Sequence, residues 1–367
     1  MKILHIIDKL DYGGAQILLK DIVENSSSRN TNINVFSLRT VCTTFKIHYS
    51  NVRISKSSFR FSLKPIFELF KYLRENEVDI IHTHLIKSNL IGLFLALFYK
   101  SKFCFIVHEH GAIFRKSKFS LYCLLMKFFN NNITRFVVVS KATKNQMISK
   151  CGIPSDKISI LYNPLNPKRF KKINSHLVNK LKIKYKLKNH IVVGFTGRFH
   201  PIKGIIYLLK AFRRLYAENK NVRLVIIGDG PQKDILKEYV KKEHLSSVVI
   251  FTGFKRDIKN YIPLFDVAVI PSISESLGIV ALEFMHCEIP IIASKVGGLS
   301  EILYNNKTTL FVKPGNVHNL YSKIKQLIYN KNLQKKLINN SKIVVKRYYV
   351  DKYIKKLNNL YSDLLTK

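Results

Sequence analysis

Short apolar runs alternate with amphipathic segments along almost the whole chain, and this alternation restricts the fold more than any other feature of the sequence. A run of about four to eight apolar residues suits a buried strand, whereas the segments between the runs repeat at helical spacing. Strands that alternate with helices pair in parallel, because each helix carries the chain back across the sheet. The sequence therefore predicts an α/β fold built on parallel sheets.

The same patterns place individual strands and helices. The first half is predicted to hold strands near residues 2–7, 33–37, 79–82, 104–108 and 136–139, with helices such as 15–25 and 64–76 between them. The second half is predicted to hold strands near residues 191–196, 223–227, 248–251, 267–270, 290–293 and 309–312. Helices are expected there near residues 204–219, 231–242, 277–286 and 317–329.

A chain of 367 residues is expected to form two α/β domains rather than one. Periodicity stops at Asn163-Pro164-Leu165-Asn166-Pro167, and a lysine-rich stretch without acidic residues follows. We predict a first domain over residues 1–170, followed by a basic connector over residues 171–188. A second domain is predicted over residues 189–345 and a helical tail over residues 346–367.

Composition excludes several classes of protein. A hydrophobic content of 47% supports two packed cores and argues against disorder. The five cysteines are odd in number and scattered, which argues against a disulfide framework or a zinc site and for a reducing cytoplasm. No secretory signal is expected, because the first apolar run meets Asp8 too early. The longest apolar run, Leu90–Tyr99, is too short to span a bilayer.

The formal net charge of +39 is spread along the chain and is densest in residues 171–188 and in the tail. A chain this basic first suggests a nucleic-acid partner. However, no helix-turn-helix, zinc-finger or RNP pattern is visible in the sequence, so no nucleic-acid partner is expected. An anionic membrane surface is the favoured explanation, and compositional drift toward lysine, asparagine and isoleucine is the alternative.

Two carboxylates, Glu275 and Glu283, follow the apolar run 267–270 in a strand–loop–helix pattern. A helix that begins near Leu277, Gly278 and Ile279 presents unpaired N–H groups and a positive dipole end, which attract an anion such as a phosphate. Eight helical residues would separate the carboxylates by ~12 Å, too far for an acid/base pair. Glu275 and Glu283 are therefore expected to contact different parts of one ligand; the alternative is a surface acid and a solvated helix residue.

The segment 275–301, ESLGIVALEFMHCEIPIIASKVGGLSE, resembles the donor-binding signature of the retaining, GT-B-fold glycosyltransferases called group 1 or family four. A second element of that family is similar to the segment Gly194-Phe-Thr-Gly-Arg198-Phe-His-Pro-Ile-Lys203-Gly204. A third element of the family is similar to the first predicted strand together with the Gly13-Gly14 pair that follows it. The resemblance covers nearly the whole chain. It implies two Rossmann-like parallel-sheet domains facing a central cleft, with the tail crossing back onto the first domain.

Five further residues, at three places in the sequence, suit a nucleotide-sugar donor. Arg198 and Lys203 are loop cations that could stabilise the charge developing on a leaving diphosphate. Backbone N–H groups at Gly13 and Gly14 could meet a diphosphate, although the pair alone would be an ordinary tight turn. Phe254 follows the strand at 248–251, where a base would lie, but we slightly favour a core position for it.

Two histidine pairs end neighbouring strands of the first domain. The family has one histidine near the donor sugar and acceptor at the second of these strand ends; His110 is the better match and His108 the runner-up. His82 and His84 either line the acceptor side or form a polar wall. His108-Glu109-His110 could suggest metal ligation, but no third ligand is visible in the sequence, so no metal is expected.

The resulting prediction is a glycosyltransferase that moves a hexosyl unit from a nucleotide sugar to a saccharide or lipid-linked saccharide with retention of configuration, in the synthesis of a cell-surface polysaccharide. No cofactor is expected. A nucleotide-sugar 2-epimerase of the same fold and a non-catalytic polyanion- or membrane-binding protein are the alternatives. Leu90–Tyr99 and Phe119–Phe129, the second beside Arg115, Lys116, Lys118 and Lys127, predict peripheral binding to the cytoplasmic membrane face; core helices are the alternative.

Overall fold

The structure, a computed structural model, describes residues 1–11, 13–26, 31–39, 52–55, 62–111 and 121–366. The chain forms two compact units: Met1–Pro164 together with Val350–Lys367, and Leu165–Tyr349. Each unit contains a parallel sheet flanked by helices. The predicted α/β class with two Rossmann-like parallel-sheet domains is confirmed.

The sheet of the first unit has seven parallel strands within the described residues, in the order β3-β2-β1-β4-β5-β6-β7. They are β1 (Lys2–Lys9), β2 (Asn32–Arg39), β3 (Val52–Ile54), β4 (Ile80–His84), β5 (Cys104–Glu109), β6 (Arg135–Val138) and β7 (Ile158–Ile160). Five strands lie within two residues of their predicted bounds. The edge strands β3 and β7 were missed, because three residues are too few to show a periodicity.

The second sheet has six parallel strands in the order β10-β9-β8-β11-β12-β13. They are β8 (Ile191–Thr196), β9 (Val222–Ile227), β10 (Val249–Gly253), β11 (Val267–Ile270), β12 (Ile291–Ser294) and β13 (Thr309–Val312). Every strand predicted for this half is found, because strands buried on both faces read as continuous apolar runs. Parallel strands end at one edge of the sheet, where such folds bind their ligands.

Helices cover both sheets. Those of the first unit's N-terminal part are α1 (Gly14–Asn25), α2 (Lys64–Glu75), α3 (Ile86–Tyr99), α4 (Leu121–Phe129) and α5 (Lys141–Cys151). Those of the second unit are α6 (Ser175–Lys184), α7 (Ile205–Glu218), α8 (Lys233–Lys242), α9 (Ile279–His286), α10 (Leu299–Ile302), α11 (Val317–Tyr329) and α12 (Lys331–Val345). Of the basic stretch expected before α4, Arg115, Lys116, Lys118 and Phe119 lie outside the described residues.

The segment 171–188, predicted as a basic connector, lies within the second unit and contains α6. Asn174 caps this helix by accepting a hydrogen bond from Leu177 N at 2.9 Å. Val178 and Leu181 are buried, because they are three residues apart on one helical face. The chain passes from the first unit to the second at Pro164–Leu165.

The last helix, α13 (Val350–Leu365), belongs to the first unit. Tyr353, Leu357 and Tyr361 recur every four residues and lie on one helical face, where they are buried. They share a hydrophobic cluster with Leu18 and Ile22 of α1. Because fully burying a large apolar side chain contributes ~1.5–3 kcal/mol, this face anchors the tail to the first unit.

One disulfide, between Cys123 of α4 and Cys151 at the end of α5, joins two of the scattered cysteines. The expectation that the cysteines form no disulfide is wrong for this pair. The two residues are 28 positions apart and meet only because α4 packs beside α5. Cys104 and Cys287 are free, and Cys42 lies outside the described residues. No helix in the described ranges is both long and apolar enough to cross a membrane.

Candidate active site

Two loops of the second unit meet beyond neighbouring strands. β8 and β11 are adjacent, so the loops that follow them start side by side. Ile273 N donates a hydrogen bond to Ile202 O at 2.7 Å. Gly204 has a φ of 65°, and a Cβ there would lie 2.0 Å from Pro271 O. Only glycine permits this contact, so the Lys-Gly step is a packing requirement as well as a motif.

An ion pair connects the two loops. Lys203 Nζ lies 2.6 Å from Glu275 Oε2, and Ser272 Oγ donates to the same oxygen at 3.1 Å. The side chains of Lys203 and Glu275 are only 22% and 11% exposed. Partial burial weakens screening by water, so the pair is held more firmly than a surface salt bridge. Two residues predicted from separate motifs thus form one charged cluster.

The Gly297-Gly298 turn supports the loop that carries Glu275. Gly298 N donates to Glu275 O at 3.1 Å. A Cβ on Gly297 would lie 2.1 Å from Glu275 O, and one on Gly298 would lie 2.1 Å from Ser276 O. Both positions therefore need glycine for the backbone to approach this closely.

Helix α9 begins directly after this loop. Gly278, with a φ of 87°, precedes the helix, and the preceding Leu277 is buried. The first amides of a helix have no intrahelical partner, so the amide of Ile279 at the start of α9 is of a kind that can bind an anion. The predicted anion-binding residues Leu277, Gly278 and Ile279 therefore all lie at one helix N-terminus.

Glu283 lies further along α9, where burial raises the pKa of its carboxyl and nearby Arg169 lowers it. Arg169 Nη2 lies 3.9 Å from Glu283 Oε1, and the Glu283 side chain is 14% exposed. The sequence did not reveal Arg169, because it is 114 positions away in an irregular turn after Pro167. Glu275 and Glu283 accordingly have different cationic partners.

Arg198 follows β8, and its side chain is exposed. Among the described residues no carboxylate lies within ion-pair distance of its guanidinium.

The backbone next to Arg198 is held by a loop after β9 that the sequence analysis missed: Phe199 N donates to Asp229 O at 2.8 Å. A Cβ on Gly228 would lie 1.9 Å from Gly197 O. The sequence Gly228-Asp229-Gly230-Pro231, which consists of turn-forming residues directly after a strand, could have indicated this loop.

Phe254 follows β10, and its side chain is 53% exposed. The slight preference for a core position is therefore wrong. Gly253, directly before it, has a φ of 74°, which turns the chain sharply as the strand ends. Contact between Phe254 and a nucleotide base stays a prediction.

In the first unit, Gly13 and Gly14 begin α1, as the motif predicted. Gly13 caps the helix in an extended conformation, and Ile17 N donates to Gly13 O at 2.9 Å. A Cβ on Gly13 would lie 2.5 Å from Gln16 Oε1. The first amides of this 12-residue helix form a second set of donors suited to an anion.

The histidines that end β4 and β5 lie in one cluster with His5, which the sequence analysis missed. His5 pairs with His82 between β1 and β4, and His84 pairs with His108 between β4 and β5. Alternate residues of a strand face the same side, so His82 and His84 share a face with His108 and His110. Burial lowers the pKa of His5 and His110 to about 3, and the pKa of the other three also lies well below its usual value.

Two overlapping histidine triads could hold a metal ion by their spacing. His5, His82 and His84 form one, and His84, His108 and His110 form the other, with candidate ligand atoms within 4.8 Å of one another. His84 is thus a candidate third ligand for His108 and His110 that the sequence did not reveal. Most of these ring nitrogens hydrogen-bond to one another, so an ion bound there would have to replace those hydrogen bonds.

Glu109 lies between His108 and His110 in sequence and is fully buried. Its carboxylate accepts hydrogen bonds from Gly111 N at 3.1 Å and from Tyr122 Oη at 3.0 Å. Burial raises the pKa of Glu109 to about 7. This carboxyl is held by backbone N–H groups and the Tyr122 hydroxyl rather than by the histidine rings.

Comparisons with known proteins agree with this architecture. The family model described as Glycosyltransferase Family 4 matches residues 12–169, and that described as Glycosyl transferases group 1 matches residues 179–344. The fold and the two matches define a GT-B glycosyltransferase. The chain belongs to the group 1 glycosyltransferases.

Several known proteins are similar over most of their length. The UDP-Gal:alpha-D-GlcNAc-diphosphoundecaprenol alpha-1,3-galactosyltransferase of Escherichia coli is 26% identical over 83% of this chain and 80% of its own. The capsular polysaccharide biosynthesis glycosyltransferase CapM of Staphylococcus aureus is 26% identical over 83% of this chain and 81% of its own. The crystal structure of Anabaena HepE in complex with UDP and glucose has a TM-score of 0.86 and 22% identity, covering 99% of this chain and 100% of that one.

Proposed function

We propose that this glycosyltransferase moves a hexosyl unit from a nucleotide-sugar donor to a saccharide or lipid-linked saccharide acceptor, with retention of configuration. The observation that carries the proposal is the Lys203–Glu275 ion pair beside the N-terminus of α9. It places a cation, a carboxylate and helix amides around one position, which suits a sugar joined to a diphosphate.

The second unit supplies the donor contacts in this proposal. Arg198 and Lys203 stabilise the diphosphate as it gains charge during departure of the sugar. Glu283 accepts hydrogen bonds from ribose hydroxyls, Glu275 contacts a sugar hydroxyl, and Phe254 lies against the base. That Anabaena HepE is solved with UDP and glucose supports a nucleotide-sugar donor for a chain of this fold.

The first unit supplies the remaining contacts. The α1 amides at Gly13 and Gly14 meet the diphosphate, and His110 contacts the donor sugar. His82, His84 and His108 belong to the wall on the acceptor side, where hydrogen bonds orient them. Their buried, neutral rings suit this supporting role better than proton transfer from bulk water.

The state of Glu275 argues against retention by double displacement through a covalent glycosyl-enzyme intermediate. Its carboxylate is paired with Lys203 and accepts a hydrogen bond from Ser272, so its lone pairs are poorly available for attack on a sugar carbon. We therefore propose that the leaving diphosphate guides the acceptor to the same face of the sugar. Arg198 and Lys203 provide the charge that a divalent ion would otherwise supply, so transfer is proposed to need no metal.

An exposed apolar surface of the first unit supports a membrane-bound acceptor. It comprises large side chains of α2, α3 and α4 and of the residue before α2: Leu63, Phe67, Phe94, Leu97, Phe98, Leu121, Leu124 and Phe128. α3 buries Leu93, Leu95 and Ala96 while it exposes Phe94, Leu97 and Phe98, so this helix is both core and surface. A groove of about 400 Å³ between α2 and α3 is lined entirely by apolar and aromatic residues.

Surfaces of this kind lie at interfaces, and the net charge of +39 favours an anionic one. We propose peripheral binding to the cytoplasmic face of the membrane and a role in the synthesis of a cell-surface polysaccharide. The acceptor named for the Escherichia coli relative is a lipid-linked saccharide, and the Staphylococcus aureus relative is named for capsule biosynthesis.

A donor panel tests the proposal. The protein is incubated with UDP-, GDP- and ADP-sugars and with lipid-linked acceptors, with EDTA present, and nucleoside diphosphate release and the anomeric configuration of the product are measured. An α-linked product from an α-linked donor is expected. An inverted product would refute retention, and conversion of the donor to its 2-epimer without an acceptor would identify an epimerase instead.

A further inference from the structure

Six side chains of the first unit form one unbroken line of hydrogen bonds. In order, the line consists of His110, His84, His5, Tyr361, His82 and His108. The joined atoms are His110 Nε2 and His84 Nδ1 at 3.0 Å, His84 Nε2 and His5 Nδ1 at 2.8 Å, His5 Nε2 and Tyr361 Oη at 3.4 Å, Tyr361 Oη and His82 Nδ1 at 2.7 Å, and His82 Nε2 and His108 Nδ1 at 3.2 Å. Tyr361 of α13 thus stands in the middle and joins three rings to two.

The atoms repeat in one sense along the line: each contact begins at an Nε2 and ends at an Nδ1, with the Tyr361 hydroxyl inserted once. A neutral imidazole carries one N–H and one lone pair, and a tyrosine hydroxyl donates one hydrogen bond while it accepts another. Burial keeps all five rings neutral near pH 7. When the Tyr361 hydroxyl also donates within the line, the five bonds can form together in only two ways: all five histidines carry hydrogen on Nε2, or all five carry it on Nδ1. A Tyr361 hydroxyl that accepted from both His5 and His82 would leave its own buried O–H without a partner in the line, which disfavours a mixed set of tautomers.

The two ends of the line distinguish these forms. His108 Nε2 and His110 Nδ1 are buried atoms without a hydrogen-bond partner among the described residues. The Nε2–H form leaves an unpaired N–H on His108, whose side chain is completely buried. The Nδ1–H form leaves a lone pair on His108 and places the free N–H on His110, which is only partly buried. Both forms leave one of these two buried atoms as an unpaired N–H and the other as an unpaired lone pair. An unpaired N–H is the more costly of the two, and a ligand oxygen can reach the partly buried His110 more readily than the completely buried His108, so the second form is favoured.

We propose that the line is held in the Nδ1–H form and that Tyr361 is a positioning residue that makes His110 a neutral hydrogen-bond donor. The proposal rests on the proposed function, in which His110 contacts the donor sugar. His110 Nδ1–H then donates to a hydroxyl or phosphate oxygen of the bound nucleotide sugar and takes no proton from the acceptor. Tyr361, which lies in α13 and is 251 positions from His110 in sequence, determines which tautomer His110 adopts, because its hydroxyl joins the two halves of the line.

Tautomers measured by NMR test the proposal directly. Long-range ¹H–¹⁵N correlation spectra of protein labelled with ¹⁵N-histidine separate Nδ1–H from Nε2–H rings, and are recorded at pH 7.5 with EDTA and without ligands. All five rings are expected as Nδ1–H. A mixture of tautomers among the five, or five Nε2–H rings, would overturn the proposal. The spectrum does not depend on transfer, so failure of the proposed function would be seen separately in the donor panel.

Tyr361→Phe provides the second arm, and Tyr353→Phe is its matched control. Tyr353 lies on the same helix and is also buried, but its hydroxyl has no hydrogen-bond partner in the described part of the chain. We expect a second tautomer of His110 in Tyr361→Phe and a wild-type spectrum in Tyr353→Phe. An unchanged His110 signal in folded Tyr361→Phe would overturn the positioning role. If that variant does not fold, the wild-type tautomers still decide the proposal.

Discussion

Lys203 Nζ lies 2.6 Å from Glu275 Oε2, and this ion pair joins two loops that are 72 positions apart in sequence. Both side chains are partly buried, and the pair lies beside the start of α9. A diphosphate bound there would compete with Glu275 for the ammonium group. We therefore expect the position of the carboxylate to change when a diphosphate binds, and the first predictions concern members of this site.

Glu283 and Glu275 are expected to act on different parts of the donor. Glu283→Gln should weaken binding of free nucleoside diphosphate roughly tenfold or more, since a hydrogen bond to a charged group contributes ~1.5–3 kcal/mol. Glu275→Gln should mainly slow transfer. Calorimetric titration with UDP, GDP and ADP, beside turnover measurements, separates the two effects. Equal losses of nucleotide affinity in both variants would contradict the division of roles.

Arg198→Ala is expected to lower kcat by about 10²–10³-fold, because one preorganised donor to a developing charge contributes ~2.7–4 kcal/mol to stabilisation of the transition state. The control is Arg214→Ala, since Arg214 is also exposed but lies on the α7 surface. Initial rates with any accepted donor measure the effect. Near-normal turnover in Arg198→Ala would refute its assignment to the diphosphate.

Gly204→Ala and Gly253→Ala separate backbone strain from steric contact. The two glycines have φ values of 65° and 74°, but a Cβ on Gly204 would lie 2.0 Å from Pro271 O, whereas one on Gly253 meets nothing within 4 Å. Gly253→Ala should cost ~1–2 kcal/mol from its left-handed conformation alone. Gly204→Ala should cost more and should also slow transfer, because its loop carries Lys203. Urea unfolding and turnover measure both, and equal costs in the two variants would show that the contact is relieved without displacing the loop.

Stability of the first unit should fall as the pH drops below 6.5. Burial lowers the pKa of His5 from 6.5 to about 3, so between these values the unfolded chain binds a proton that the folded chain does not. At pH 5 this difference costs ~2 kcal/mol for one such histidine. In His5→Gln, the loss of stability between pH 7.5 and 5 should be smaller by about that amount. Urea unfolding at the two pH values tests this, and an unchanged pH dependence would show that His5 is protonated when folded.

Phe67→Ser and Phe98→Ser should weaken binding to anionic vesicles, because each removes an exposed aromatic side chain from the apolar surface of the first unit. Burial of one such side chain contributes ~1.5–3 kcal/mol, so a loss of about tenfold or more is expected. Ile343→Ser is the control, since Ile343 is 64% exposed on α12 of the second unit. Co-sedimentation should require anionic lipid and decline with added salt. The proposed membrane role would be contradicted if the wild-type protein bound neutral vesicles, or if it failed to bind anionic vesicles at low salt.

Local patterns in the sequence were sufficient to predict most strands and helices and the loop positions of Arg198, Glu275 and Gly278. Such patterns depend on residues a few positions apart, and buried parallel strands make them strong. They also predicted that a phosphate-directed helix follows β11, because strand, glycine and helix are contiguous there. The three-residue edge strands β3 and β7 were not predictable, since so short a segment has no period.

Tertiary structure alone decided which distant residues meet. Lys203 pairs with Glu275 because β8 lies beside β11, an order that no local pattern specifies. Arg169 reaches Glu283 from an irregular turn, and His5 joins the other histidines because β1 lies beside β4. Tyr361 completes their hydrogen-bonded line only because α13 returns to the first unit. These contacts follow from strand order and helix packing, which depend on burial summed over a whole unit rather than on any short stretch of residues.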